Sequence, residues 1–91
     1  MVTRIGKRQR VILSRMKNEN LVIRAITDNY NNKTDINLED EGGENTYGTI
    51  SPTMLQSLCE RKLFKHDSWN PCLQISNDTF RLKEEIKTQL P

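Results

Sequence analysis

The stretch ISPTMLQSLCERKLF, Ile50 to Phe64, carries a complete set of helix signals. Ser51 suits the N-cap, where its hydroxyl can accept from a free backbone N–H, and Pro52 suits the first helical position, where its missing N–H is no loss. Ile50 and Leu55 stand where a hydrophobic staple would close. The spacing then turns Leu55, Leu58, Cys59 and the stem of Lys62 inward. Thr53, Gln56, Ser57 and Glu60 are left outside, with Arg61 at the edge. A helix with a polar outer face that could meet another molecule is the expectation around which the remaining chain is arranged.

Upstream, the basic segment IGKRQRVILSRMKN places Ile5, Ile12, Leu13 and Met16 on one helical face, with Gln9 between them. Its start is predicted near Gly6 or Lys7 and its stop at Asn18 or Asn20, since Asn tolerates left-handed backbone. LVIRAIT, residues 21–27, alternates Leu21, Ile23 and Ala25 against Val22, Arg24 and Ile26, and reads as a strand. DNYNNKTD is a run of turn-formers, and Ile36 and Leu38 of INL read as a short returning strand. Residues 39–48, EDEGGENTYG, are predicted to be a flexible, exposed, acidic loop.

Downstream, DSWNP reads as a turn, and Leu73 and Ile75 alternate with Cys72 and Gln74 as a short strand, giving a ribbon over residues 65–75. Ser76 or Asn77 is then predicted to cap a last helix, NDTFRLKEEIKTQL, with Thr79, Leu82, Ile86 and Leu90 as its buried stripe. Phe80 falls off that stripe and reads either as a core residue or as an exposed aromatic contact beside Arg81.

A chain of 91 residues fits one domain, 1–91, with a small core, because only 34% of the residues are apolar and 5% aromatic. The apolar residues nevertheless cluster in periodic runs, which argues for folding despite 29% charged residues. No apolar run has the length of a membrane span or follows the basic N-terminus as a signal segment, so no membrane partner and a cytoplasmic location are expected. Cys59 and Cys72 read as reduced, buried small side chains.

Charge is unevenly spread. Arg4, Lys7, Arg8, Arg10, Arg15 and Lys17 precede the first acid, Glu19, whereas Asp35, Glu39, Asp40, Glu41 and Glu44 form a stretch without bases. A basic patch concentrates anions and an acidic one repels them.

Catalytic and metal chemistry find no matching pattern. His66 is the single histidine, and the spacing of Cys59, His66 and Cys72 fits no zinc motif. Cys59 points toward the core without a base in reach, Glu84 and Glu85 lie on a solvated face, and Gly42–Gly43 lack the Lys and Ser or Thr of a phosphate loop. Neither enzyme activity nor a cofactor or metal is expected.

The order of elements, with ISPTMLQSLCERKLFK as capped helix, LQISNDTFRLKEEI as wing strand entering a last helix and RQRVILSRM as first helix, resembles the winged-helix domains of small bacterial and phage regulators. It has a weaker likeness to small bacterial YjhX-type proteins. The resemblance implies an α+β fold of three helices with a small antiparallel sheet or wing. It departs at residues 21–50, which read as strand, turn, strand and loop where a helix-turn-helix has its second helix. The function implied is binding of duplex DNA by a transcriptional or phage regulator. Thr53, Gln56, Ser57 and Arg61 would face bases, and Arg4, Lys7, Arg8, Arg10, Arg15, Lys17, Lys62 and Lys65 would face phosphates. The competing expectation is a mobile-element inhibitor of a host protein, of the anti-CRISPR or toxin-like kind, with Glu39, Asp40, Glu41 and Glu44 imitating phosphates. Either form could be a homodimer joined through the C-terminal helix.

Overall fold

The computed structural model describes residues 6–90. Among these, three helices and five strands follow in the order α1 (Lys7–Asn18), β1 (Leu21–Asp28), β2 (Lys33–Asp40), β3 (Thr46–Thr49), α2 (Pro52–Glu60), β4 (Phe64–Trp69), β5 (Ile75–Leu82) and α3 (Glu84–Lys87). The strands form one antiparallel sheet in the order β3-β2-β1-β5-β4. The chain is an α+β protein in which this sheet, and not a helical bundle, is the largest element.

β1 lies at the centre because its apolar residues need cover on both flanks. Ile23 stands opposite Leu38 on one side and Phe80 on the other, and Ala25 opposite Ile36 and Asp78. Leu21, Ile23 and Ala25 alternate toward the helices, as the spacing of LVIRAIT predicts. They share one buried cluster with Leu13 and Met16 of α1, Leu58 of α2, Ile36 and Leu38 of β2, and Leu82 of β5. Both longer helices therefore lie on the same face of the sheet. Alternation assigns Arg24, Glu39, Lys65, Asp67 and Arg81 to the other face.

The start signals of both longer helices are fulfilled, but α2 stops at Glu60, leaving Lys62 exposed beyond it and Phe64 as the first residue of β4. In α1, Leu13 and Met16 are buried, and Gln9 Oε1 accepts from Gly6 N–H at 3.1 Å at the start. Asn20, with φ 55°, ends the turn that follows. In α2, Ser51 Oγ accepts from Met54 N–H at 3.1 Å, and Ile50 is buried beneath the entry. No helix among the described residues is long and apolar enough to cross a membrane.

Several expectations are corrected. Residues 77–82 are strand, not helix: Ser76 and Asn77 pair with Thr27 and Ile26 instead of capping, and the last helix shrinks to Glu84–Lys87. The energetic reason is β1, whose second flank would otherwise expose unpaired backbone and Ile23. Second, Asp67, Ser68 and Trp69 of DSWNP belong to β4, so the ribbon runs over Phe64–Leu82 with its connection at residues 70–74. Third, the loop foreseen over 39–48 contracts to residues 41–45, because Glu39 and Asp40 complete β2 and Thr46–Thr49 form β3. Fourth, Cys72 is exposed, and Phe80 packs against the core, stacked on His66 with ring centroids 4.6 Å apart.

The two hairpins are tied just past the last pair of the β1–β5 register, Asp28 opposite Ile75. Asn29 N–H donates to Gln74 O at 2.7 Å, and Asn29 Nδ2 donates to Leu73 O and Ser76 Oγ at 3.1 and 3.0 Å.

Candidate nucleic-acid interface

α1 presents its bases along the arc opposite the buried stripe. At about 100° per residue, Lys7, Arg8, Arg10, Val11 and Arg15 share that arc, while Ile12, Leu13 and Met16 turn inward. Lys7, Arg8 and Arg10 are exposed, and none forms an ion pair among the described residues. Arg15 and Lys17 are engaged. Arg15 Nε donates to Glu19 Oε2 at 3.0 Å and its Nη1 to Tyr47 O at 3.1 Å, with the guanidinium 5.9 Å from the Tyr47 ring centre. Lys17 Nζ donates to Leu90 O at 2.6 Å, fastening the chain's last described turn to α1. Arg4 lies outside the described residues.

α1 and α2 meet through a polar contact as well as through the core. Gln9 Nε2 donates to Ser57 Oγ at 2.6 Å, so Ser57 is half-buried between the helices and not on a free outer face. An open groove runs between the two elements, with Lys7, Arg8 and Val11 on one wall and Thr49, Ser51 and Met54 on the other. Its lining contains no carboxylate. The first turn of α2, with its N-terminal N–H groups and positive dipole end, lies beside the same groove.

The remaining residues foreseen as contacts are spread out. Thr53 and Gln56 are exposed on α2, Gln56 Nε2 lying 3.4 Å from Glu60 Oε1. Arg61 is the C-cap residue and Lys62 follows in left-handed backbone with φ 57°. Lys65 lies in β4, on the sheet face away from the helices, directly opposite Arg81. The structure thus gathers Lys7 and Arg8 with the start of α2, leaves Arg10 beside Ser14, Asn18 and Glu19 of α1 and its end, and places Lys65 elsewhere.

The acidic residues expected to meet a basic partner are largely absorbed by the fold. Glu39 is buried at 8% exposure and accepts from Arg24 Nη1 at 3.0 Å. Asp40 accepts from Glu44 N–H at 2.8 Å and Asn45 Nδ2 at 2.9 Å, and the Asn45 bond in particular holds its carboxyl below the ordinary range. Glu41 accepts from Arg81 Nε at 2.7 Å. Glu44 is exposed. These partners are remote in sequence or belong to turn geometry, so charge counting does not reveal them.

Of the residues considered as metal ligands, His66 Nε2 lies 2.8 Å from Asp78 Oδ1, Cys59 is half-buried and Cys72 is exposed. Burial pushes the Cys59 thiol up, the opposite of what an activated nucleophile needs. No group of three metal-binding side chains occurs among the described residues. At the C-terminal end, Leu82, Ile86 and Leu90 are buried in the chain's own core, as their expected stripe requires.

Comparison with known proteins yields no matching family model, no similar curated protein and no similar solved structure.

Proposed function

We propose that this chain binds duplex DNA through its phosphate backbone, with α1 as the contact element and the start of α2 as its flank. One observation carries the reading: Lys7, Arg8 and Arg10 stand exposed on α1 with no ion pair among the described residues, and Lys7 and Arg8 border a groove that has no carboxylate in its lining. Arg15, Arg24 and Arg81, by contrast, are offset locally, Arg15 by Glu19, Arg24 by Glu39 and Arg81 by Glu41 and Asp67. Such an array recognises the spacing of phosphates and not base edges. A winged-helix likeness is retained for α2, β4 and β5 alone, since the β1–β2 hairpin takes the chain position of a second helix. Base reading by α2 is therefore not part of the proposal.

Fluorescence anisotropy of a labelled duplex at about 50 and about 200 mM salt tests it, because each phosphate contact contributes about 0.9 to the log–log salt slope. The triple variant Lys7→Ala, Arg8→Ala, Arg10→Ala should bind more weakly and lower that slope by about 2 to 3. Thr53→Ala with Gln56→Ala should leave the slope unchanged. Salt-insensitive binding, no binding at the lower salt, or a triple variant that binds like the parent overturns the reading.

A further inference from the structure

β4 is an outer border of the sheet, with β5 as its one strand neighbour. Leu63 O accepts from Lys83 N–H at 3.1 Å, and these two residues continue the β4–β5 register one step beyond Phe64 opposite Leu82. That pair is hydrogen-bonded, so strict antiparallel alternation makes Lys65, Asp67 and Trp69 bond inward to β5 as well. Phe64, His66 and Ser68 then direct their N–H and C=O groups away from the sheet. No backbone bond to them is formed from outside the sheet among the described residues. Residues 65–69 are exposed.

We propose that this border pairs antiparallel with β4 of a second copy of the chain, about a two-fold axis at His66, joining the two sheets into one. Residues directly opposed in a continuous sheet point to the same face, which restricts the axis to a residue position. With the axis at His66, each copy's Lys65 stands opposite the partner's Asp67, and each Asp67 opposite the partner's Lys65. Both are non-hydrogen-bonded pairs, in which side chains come closest. The same register satisfies the outward groups, His66 bonding the partner's His66 and Phe64 the partner's Ser68. Moving the axis to Lys65 or Asp67 sets like charges against each other, and moving it to Ser68 leaves Phe64 unpaired.

The charges select the partner. A lysine on an edge strand ordinarily discourages strand addition. Here an aspartate two residues along, on the same face, offsets it when the incoming strand is this strand reversed. Asp67 is already oriented by Arg81 Nη1 at 2.7 Å yet remains 59% exposed, and Lys65 has no ion pair among the described residues. Trp69, at 66% exposure, falls diagonal to the partner's Lys65, within reach of a cation–π contact.

Sedimentation equilibrium of the whole chain from about 1 to about 500 μM tests the proposal, the expected mass rising from 10.6 kDa toward twice that value. Lys65→Asp alone and Asp67→Lys alone set like charges across the axis, and each should weaken the dimer at least about tenfold. An equal mixture of the two variants should restore it. In the mixed pair the two substituted side chains face each other with opposite charge, and the retained Asp67 of one variant faces the retained Lys65 of the other. A misfolded variant would not be rescued by mixing. The fluorescence of Trp69, the single tryptophan, should shift with the same concentration dependence. A monomer throughout the range, a dimer indifferent to the single reversals, or a mixture no tighter than its components overturns the proposal.

Discussion

Arg24 Nη1 donates to Glu39 Oε1 at 3.0 Å across β1 and β2, with side-chain exposures of 21% and 10%. The pair lies on the helix-free face, and Gly43 of the following loop packs so close to the guanidinium that a Cβ there would collide with it. The charge that composition assigns to an acidic surface is thus part of the sheet's internal support.

Glu39→Ala should destabilise the fold by about 2 kcal/mol, less than for a fully buried pair because both groups keep some contact with water. Gly43→Ala should cost about 1 to 2 kcal/mol, since the residue has φ 73° and the new methyl displaces Arg24. Urea unfolding measures both. The double variant should lose less than the sum, because the residues share Arg24.

At the entry to α2, Ser51→Ala removes the acceptor for Met54 N–H and should lower stability by about 1 kcal/mol. Ser51→Asp should recover most of it. The readout is the shift in the unfolding midpoint at constant denaturant slope.

Phe80 separates a core role from a surface one. It packs on the buried cluster, with Phe64 at 6.1 Å between ring centroids and His66 at 4.6 Å. Phe80→Ala should cost about 3 kcal/mol and Phe80→Leu much less, as calorimetry would register. Equal stability of both variants would return Phe80 to the surface.

Two turn carboxylates set an acid limit. Asp28 is held below the ordinary 3.8 chiefly by its bond with Asn31, and Asp40 chiefly by its bond with Asn45. A depressed carboxylate adds stability that is present above the ordinary value and is lost as pH falls through the folded one. Melting temperature should therefore drop as pH decreases below about 4, and the drop should be shallower in the Asp28→Asn, Asp40→Asn double variant.

α1, β1 and α2 are legible in the sequence because their signals are local: an apolar period, a cap, a proline at the first turn. Residues 77–90 are not, since Leu82, Ile86 and Leu90 recur at helical spacing while Phe80 and Leu82 also alternate with Thr79 and Arg81. Local propensity leaves the choice open, and the uncovered flank of β1 decides it. The bases of α1 are equally visible as charge. That Arg15 and Lys17 are spoken for by the Tyr47 and Leu90 carbonyls depends on contacts distant in sequence, which no pattern records.

The β1–β5 seam gives assembly an order. The β1–β2 and β4–β5 hairpins can each close from chain neighbours, a matter of microseconds, but neither covers its apolar side alone. Their joining encloses everything from Asp28 to Ile75 in a single loop, so the β1–β5 pairing carries the largest loop-closure cost in the sheet. Asn29, clasping the far end of that seam, is the stitch that keeps them from parting.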